Sequence, residues 1–284
     1  MNINSHAKIN LTLEVIDKYE DGYHNIKSII QTIDMYDILE FRPSNSVNIN
    51  MNGYAVPINT NIIYKTVKYL KNLYSIQEGI NIKVEKNIPL AAGFGGGSSN
   101  AANTLLVLNK IWDLNLSLKE MVDVAINIGS DVPYFLYQGT ALVECKGEKI
   151  TKLPDAHINN ILVITPNGQI IPNKTKTMFS YLIKDNYSDG KLTDNLIEKI
   201  NNNLSIRNND IYNVFGEISF LAYDFMQLLV CRLSKYGISK INICGAGPSV
   251  FIIGCDTELI KKINEDEHLN MFNKFLVKPY KSDT

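Results

Sequence analysis

The sequence has almost no excess charge of either sign. Its 284 residues include 28 lysines and arginines and 29 aspartates and glutamates, which leaves a formal net charge of −1. Proteins that bind nucleic acid over a broad surface usually carry a basic face, because contacts to phosphate dominate that binding. The balanced charge therefore argues against a nucleic-acid partner.

Cysteine is scarce, and its four residues are spread apart. They form no Cys-x-x-Cys pair, so we expect neither a zinc knuckle nor a redox dithiol. They are Cys145, Cys231, Cys244 and Cys255. This pattern is typical of buried thiols in a reducing compartment. No apolar run is as long as a bilayer span, and the first seven residues lack a signal-peptide pattern. We therefore expect a cytoplasmic protein with no membrane partner.

Glycine, in contrast, is concentrated in one stretch. Residues 89–102 read Pro-Leu-Ala-Ala-Gly-Phe-Gly-Gly-Gly-Ser-Ser-Asn-Ala-Ala. Ordering such a run is costly, but its bare backbone lets N–H groups converge on an anion. Apolar residues follow at helical spacing from Ala101 to Trp112, and Ser98 and Ser99 stand where an N-cap is expected. The stretch predicts a glycine loop at a helix N-terminus, which is a phosphate site. A flexible turn before a helix is the alternative.

This loop fits neither of the two commonest nucleotide-binding motifs. A Walker A loop ends in Gly-Lys-Ser/Thr, whereas Gly97 is followed here by Ser98. A Rossmann fingerprint places its third glycine three residues after the second. Counted from Gly93, that position again holds Ser98. Both motifs are therefore disfavoured.

Hydrophobic periodicity predicts a chain that starts with strands and adds helices later. Strands are predicted at 9–15, 47–51, 80–84, 141–145, 161–165, 241–243 and 250–253, with two more within 26–41. Helices are predicted after the glycine loop and at 61–74, 117–128, 174–182 and 218–236, with one within 185–209 and a final helix and strand before residue 279. Ser117 and Glu120 form a capping-box pattern, and Gly129 is a natural C-cap.

Two further motifs lie far from the glycine loop. Ala7-Lys8-Ile9-Asn10-Leu11 begins the first strand, and Gly245-Ala246-Gly247-Pro248-Ser249 separates two strands near the end of the chain. In this order, the three motifs resemble those of the kinase superfamily that includes galactokinase, homoserine kinase, mevalonate kinase and phosphomevalonate kinase. The resemblance covers almost the whole chain and is weakest between residues 185 and 209.

Four segments narrow this resemblance to one branch, and two of them, 7–11 and 97–102, lie in the motifs already described. Asp21-Gly22-Tyr23-His24 and Gly129-Ser130-Asp131-Val132-Pro133 are similar to the branch that phosphorylates the 2-hydroxyl of 4-diphosphocytidyl-2-C-methyl-D-erythritol, a step of the non-mevalonate isoprenoid pathway. The resemblance implies ATP and Mg²⁺ as cofactors, small-molecule substrates only, and a monomer or homodimer. Homoserine or mevalonate phosphorylation is one alternative, and a non-catalytic nucleotide-binding sensor is another.

The resemblance also implies an α+β, two-domain small-molecule kinase fold. Residues 1–154 would form an N-terminal ATP-binding domain similar to the ribosomal protein S5 fold. Residues 155–284 would form a C-terminal α/β domain that binds the second substrate. Substrate and ATP would then meet between the two domains.

Lys8 and Asp131 match the catalytic lysine and aspartate of this family. Phosphoryl transfer depends mainly on positioning and charge neutralisation. We therefore expect Asp131 to orient the acceptor hydroxyl and take its proton late, while Lys8 holds the pair and offsets charge. The alternatives are a simple turn residue for Asp131 and a solvated surface charge for Lys8. The expected ATP-binding residues are Pro89, Leu90, Ala91, Ala92, Gly93, Phe94, Gly95, Gly96, Gly97, Ser98 and Ser99.

Three aromatic rings are expected at the acceptor end. Tyr23 and His24 match residues that hold the cytosine ring, which needs an aromatic face and a directional hydrogen bond. Phe179 matches the second stacking aromatic, with a helix-core aromatic as its alternative. The Ser-Thr that usually precedes it reads Lys174-Thr175 here, after an apparent insertion around Gln169.

The remaining assignments are contacts to phosphate, metal or backbone. Asn10 is expected to contact the substrate or the strand end. Gly245 and Gly247 would close against the substrate phosphates or brace the first glycine loop, with a plain tight turn as the alternative. The hydroxyl of Ser98 or Ser99 is a candidate ligand for phosphate or Mg²⁺, and no carboxylate ligand of the metal is assigned.

Overall fold

The protein is described by a computed structural model that covers residues 1–54, 57–168 and 174–281. Within these ranges the strands are β1 Asn2–Lys18, β2 His24–Ser44, β3 Val47–Met51, β4 Gly79–Glu85, β5 Thr140–Cys145, β6 Lys149–Lys152, β7 Ile161–Pro166, β8 Tyr212–Asn213, β9 Asn242–Ile243, β10 Val250–Ile253 and β11 Phe272–Val277. The helices are α1 Ile62–Tyr74, α2 Gly96–Ile111, α3 Leu118–Ile126, α4 Tyr134–Tyr137, α5 Lys174–Ser180, α6 Lys191–Asn201, α7 Phe215–Ala222, α8 Phe225–Ser234 and α9 Thr257–Glu265. Short 3₁₀ turns lie at 58–60, 184–186, 208–210 and 267–269.

The described strands form two sheets. The first has the order β3-β4-β2-β1-β8, and β5 pairs with both β2 and β6. The second has the order β11-β7-β10-β9 and is antiparallel throughout. β8 pairs in parallel with β1 although it lies late in the chain, so the second half of the chain closes one edge of the first sheet. A domain boundary at residue 154 stays a prediction.

β2 is one long strand, which corrects the expectation of two strands within 26–41. Its first half pairs with β5 and its last third with β4, on the same edge. On its other edge the register with β1 shifts where His6 faces Tyr36 and Ala7 faces Ile33. The polar break in the sequence is therefore a β-bulge, which bends a strand without ending it.

The core connects the two sheets through β1. One buried cluster packs β2 and β4 against α1, α2 and α3, and another packs the second sheet against α7, α8 and α9. A third cluster joins Ala7, Ile9 and Leu11 of β1 to Val163 of β7 and Phe251 of β10. These alternate apolar residues of β1 thus face the second sheet. The polar residues between them therefore point to the opposite face of β1.

Two helix ends differ from the sequence-based expectation. The capping box of Ser117 and Glu120 is present, but α3 ends at Ile126 with Asn127 as its C-cap, so Gly129 lies beyond the cap. The single helix expected at 218–236 is two helices, α7 and α8. Tyr223 breaks it with an extended backbone, and its hydroxyl donates to the carbonyl of Ala246, 2.5 Å away. A tertiary contact therefore overrides local helix preference here.

In the part of the chain that the structure describes, no helix has both the length and the apolar character needed to cross a bilayer.

Candidate active site

The polar face of β1 is buried rather than solvated. Lys8 and Asn10 are almost fully buried, and the Lys8 ammonium donates to Asn10 Oδ1 over 2.7 Å. Asn10 Nδ2 in turn donates to Ser28 Oγ over 2.9 Å. A buried charge is costly unless hydrogen bonds compensate it. This chain of bonds therefore holds the Lys8 ammonium in one place.

The glycine run forms a loop that leads directly into α2. The helix begins at Gly96 and its N-cap is Gly95 in the left-handed conformation, with φ 68°. This corrects the expectation that Ser98 or Ser99 caps the helix. A Cβ at Gly95 would lie 2.8 Å from the Phe135 ring and 3.1 Å from Lys8 Cγ, so only glycine fits. The first amides of a helix have no intrahelical acceptor, and these amides therefore remain suited to an anion.

The two candidate serines differ in accessibility. Ser98 is half-buried and lines the cavity described below. Ser99 is fully buried and accepts a hydrogen bond from Ser5 Oγ over 2.8 Å. Phe94 is fully buried in the core, consistent with a packing role. Ser98 is therefore the candidate of the two that can reach a ligand.

The second glycine motif packs on the first. A Cβ at Gly93, whose φ is 99°, would overlap the carbonyl oxygen of Cys244. A Cβ at Gly245 would lie 3.0 Å from the carbonyl oxygen of Gly93 and 3.1 Å from Lys8 Nζ. The backbone N–H of Lys8 donates to the Phe94 carbonyl over 2.9 Å. The three distant sequence motifs thus meet at one point.

A buried carboxylate fixes both sides of the glycine loop. Asp37 of β2 accepts hydrogen bonds from the amides of Asn87 and Ile88, over 2.9 and 2.8 Å, and from Asn100 Nδ2 over 2.9 Å. Lys86 forms an ion pair with the same carboxylate. The first three donors precede and follow the glycines in the chain, so Asp37 anchors the loop to β2.

Asp131 faces the buried lysine from a turn between α3 and α4. Its Oδ2 lies 3.8 Å from Lys8 Nζ. The Lys8 side chain is 5% exposed and that of Asp131 is 47% exposed. A half-exposed carboxylate beside a held ammonium can accept a proton from a bound alcohol, whereas the ammonium offsets negative charge.

Four aromatic side chains form what we call the aromatic group: Tyr23 just before β2, His24 at its start, Phe179 on α5 and Phe215 on α7. The rings of His24 and Phe179 stack with centroids 4.9 Å apart, and Phe215 packs edge-on against Phe179. Tyr23 is 58% exposed, with the Lys146 ammonium 5.4 Å from its ring centroid. Burial lowers the pKa of His24, and the nearby charge of Lys18 lowers it further, so this imidazole is suited to neutral hydrogen bonding.

One cavity of about 930 Å³ contains these groups. Its wall includes Lys8, Asp131, the residues from Pro89 to Ser98, and the aromatic group. Among the described residues, the charged side chains of this wall are six lysines and two aspartates: Lys8, Lys18, Lys86, Lys146, Lys174, Lys176, Asp21 and Asp131. A chain with a net charge of −1 therefore concentrates positive charge at this cavity, which favours polyanionic ligands.

The structure brings most of the expected site residues to this wall. Asn10, Tyr23, His24, Phe179 and Gly245 line it together with the groups named above. Ser99 and Gly247 do not line it. Gly247 instead packs on the ring of Tyr223, and its carbonyl accepts a hydrogen bond from Lys174.

Lys174 is the residue that sequence reasoning missed. Lys174 lines the cavity, and burial together with the nearby Lys8 lowers its pKa to about 8. The available signal was the departure from the Ser-Thr that the resemblance implies, because the sequence reads Lys174-Thr175 there. Gln169, around which the insertion was placed, lies outside the described residues.

No cluster of three or more His, Cys, Asp or Glu side chains that could hold a metal occurs within residues 1–54, 57–168 and 174–281. Mg²⁺ in kinase sites is usually bound through substrate phosphates, several waters and few protein ligands. The half-buried Ser98 hydroxyl at the start of α2 is compatible with such a site.

Comparison with known proteins agrees with this geometry. Residues 61–139 match the model of the GHMP kinase N-terminal domain. The chain is 36% identical over 266 residues to the 4-diphosphocytidyl-2-C-methyl-D-erythritol kinase of Thermoanaerobacter pseudethanolicus, covering 93% of this chain and 91% of that one.

Solved structures share the fold over nearly the whole chain. A crystal structure of 4-(cytidine 5'-diphospho)-2C-methyl-D-erythritol kinase superposes with a TM-score of 0.77 at 22% identity, covering 98% of both chains. The Methanococcus jannaschii mevalonate kinase superposes with a TM-score of 0.66 at 16% identity, covering 99% of this chain and 98% of that one. The expected α+β small-molecule kinase fold is thereby confirmed.

We predict that Gly93→Ala separates the two glycine motifs and weakens nucleotide binding. The new methyl group would overlap the Cys244 carbonyl, so the loop must move. We expect the Kd for ATP, measured by isothermal titration calorimetry, to rise at least about tenfold, which corresponds to about 1.4 kcal/mol.

Gly254→Ala is the matched control. Gly254 also has a positive φ, 83°, but nothing lies within 4 Å of an added Cβ. Both variants incur a similar backbone cost, and only Gly93→Ala disturbs the contact. Equal ATP affinity in the two variants would contradict the importance of this contact.

Proposed function

The chain belongs to the 4-diphosphocytidyl-2-C-methyl-D-erythritol kinases of the GHMP kinase family, and from this premise we propose that it transfers the terminal phosphoryl group of ATP to the 2-hydroxyl of 4-diphosphocytidyl-2-C-methyl-D-erythritol. This is a step of the non-mevalonate isoprenoid pathway. The observation that carries the proposal is the Lys8–Asp131 pair, which lies in one cavity with the glycine loop and the aromatic group.

We assign nucleotide binding to the loop from Pro89 to Ser98. The amides at the start of α2 and the helix dipole would hold the β- and γ-phosphates. Positive charge along the wall reduces the repulsion between two anionic substrates in one cavity. The Ser98 hydroxyl in the first turn of α2 is the candidate protein ligand of Mg²⁺, which would neutralise charge on the phosphates.

We assign the chemical step to Asp131 and Lys8. Asp131 orients the acceptor hydroxyl and takes its proton as the new O–P bond forms and the bond to the β-phosphate oxygen breaks, which releases ADP. The Lys8 ammonium offsets charge on the transferred group. The amide oxygen of Asn10 accepts a hydrogen bond from Lys8, and its amide nitrogen donates one to Ser28. Both bonds support a positioning role for Asn10.

We assign the aromatic group to the cytosine ring. Tyr23 offers an exposed ring face, and His24 and Phe179 form the adjacent stack. A base has two π faces and a hydrogen-bonding edge, so this set suits it. Homoserine and mevalonate carry no base, and the aromatic group therefore favours the cytidylyl acceptor over the alternatives.

The direct test is ATP consumption with three acceptors supplied separately. We expect turnover with 4-diphosphocytidyl-2-C-methyl-D-erythritol and at least about 10³-fold lower kcat/KM with homoserine or mevalonate, because these would leave the aromatic group unpaired. Turnover with none of the three would instead favour the non-catalytic sensor.

Asp131→Ala is expected to lower kcat by about 10²–10⁴-fold, the usual contribution of general acid–base catalysis. The Kd for ATP should stay within about threefold, because the glycine loop is unchanged. Single-turnover kinetics and calorimetry measure the two quantities. Asp123→Ala, at an exposed position on α3, is the control and should retain full activity. Parallel loss of ATP affinity in Asp131→Ala would be inconsistent with the assigned role.

Tyr23→Ala is expected to raise the KM for the cytidylyl acceptor about tenfold or more, since base–aromatic stacking contributes about 1–3 kcal/mol. The KM for ATP should not change. Tyr19→Ala is the matched control, because the Lys146 ammonium also lies over the Tyr19 ring, at 4.9 Å, yet Tyr19 does not line the cavity. An unchanged acceptor KM in Tyr23→Ala would disprove the assignment of Tyr23.

A further inference from the structure

Lys174 occupies an unusual position for a lysine at the start of a helix. It is the first residue of α5, and its ammonium donates to the carbonyl of Gly247 in the second glycine motif. It lines the same cavity as Lys8 and Asp131. A lysine at such a position is ordinarily solvated, whereas Lys174 is half-buried at the cavity wall, where its charge is available to an anionic ligand.

α5 connects two parts of the cavity. Phe179 lies five residues after Lys174 on this helix, a separation of about 7.5 Å along the axis at 1.5 Å per residue, and its ring stacks on His24. The Lys174 ammonium contacts Gly247 of the second glycine motif, whose Gly245 packs on Lys8. α5 therefore carries both Phe179 of the aromatic group and Lys174, which lies close enough to Lys8 and Asp131 for their charges to act on its ammonium.

In the proposed acceptor, the diphosphate joins the cytidine to the methylerythritol unit. We assign the cytosine to the aromatic group and the hydroxyl to Asp131 and Lys8, so the diphosphate belongs to the part of the cavity that joins them. We propose that Lys174 is a specificity-determining residue of the acceptor site, and that its ammonium binds this diphosphate. The inference rests on the function proposed above.

The charges that face Lys174 make this binding sensitive to pH. The charge of Lys8 on β1 disfavours a protonated Lys174, and that of Asp131 favours it. Lys176, on α5 itself, lines the same cavity. Cys244 at the end of β9 also faces Lys174, and burial raises the pKa of its thiol, which therefore stays neutral. Burial and Lys8 lower the pKa of Lys174 to about 8.

The direction of the pH effect follows from these charges. Below pH 8 most of the free protein carries a protonated Lys174, and above it most does not. A bound diphosphate favours the charged form, so binding at pH 8–9 takes up a proton from solvent. Acceptor affinity should therefore fall as the pH rises through about 8 and then level off.

The test measures the KM for the acceptor and the KM for ATP at several pH values between 7 and 9.5, in the wild type, Lys174→Met and Lys174→Arg. The acceptor's diphosphate is esterified at both ends and does not titrate in this range. For the wild type we expect the acceptor KM to rise about tenfold across the range, as a charge-assisted hydrogen bond is lost. Lys174→Met should have a high, pH-independent acceptor KM. Lys174→Arg should have a low, pH-independent value.

Lys184→Met, at an exposed position, is the control and should match the wild type. A change confined to the KM for ATP would mean that Lys174 serves the nucleotide and would overturn the inference. So would an acceptor KM for Lys174→Met within twofold of the wild type at pH 7. Absence of wild-type turnover with this acceptor would reject the proposed function itself, and the inference with it.

Discussion

The site depends on the close approach of two glycine loops. Gly93 lies so near Cys244 that no side chain fits between them, and Gly245 lies similarly near Gly93 and the Lys8 ammonium. These residues are widely separated in the chain, and they belong to different sheets or their connections. Their contact therefore fixes the position of the first sheet relative to the second. It also determines where the Lys8 ammonium lies relative to the free backbone amides at the start of α2.

β1 makes this arrangement possible because both of its faces are buried. Its apolar residues join the two sheets, and its polar residues divide between two tasks. Lys8 and Asn10 serve the cavity, whereas Thr12 and Glu14 receive hydrogen bonds from Thr193 near the start of α6. The alternation of apolar and polar residues that predicted this strand did not reveal that its polar side is buried as well.

Local patterns predicted what local physics determines, and the exceptions arise from distant contacts. The capping box of α3 was predictable because it lies within four residues. The break at Tyr223 was not, because its hydroxyl bonds to a carbonyl 23 residues further on. Gly95 rather than a serine caps α2, since the N-cap must lie against Phe135 and Lys8. The three motifs indicated the site, whereas the enclosure of Lys174 depends on a contact 73 residues away.

The anchoring of the glycine loop through Asp37 has a consequence for the kinetics of ligand capture. Backbone amides before the loop and Asn100 after it converge on this one carboxylate, which has no exposed surface. A flexible stretch of this composition would lose about 1–2 kcal/mol of conformational entropy per residue on closing around a phosphate. Here much of that ordering is completed during folding, so at the proposed nucleotide site we expect the association rate to be set by diffusion and charge rather than by loop closure.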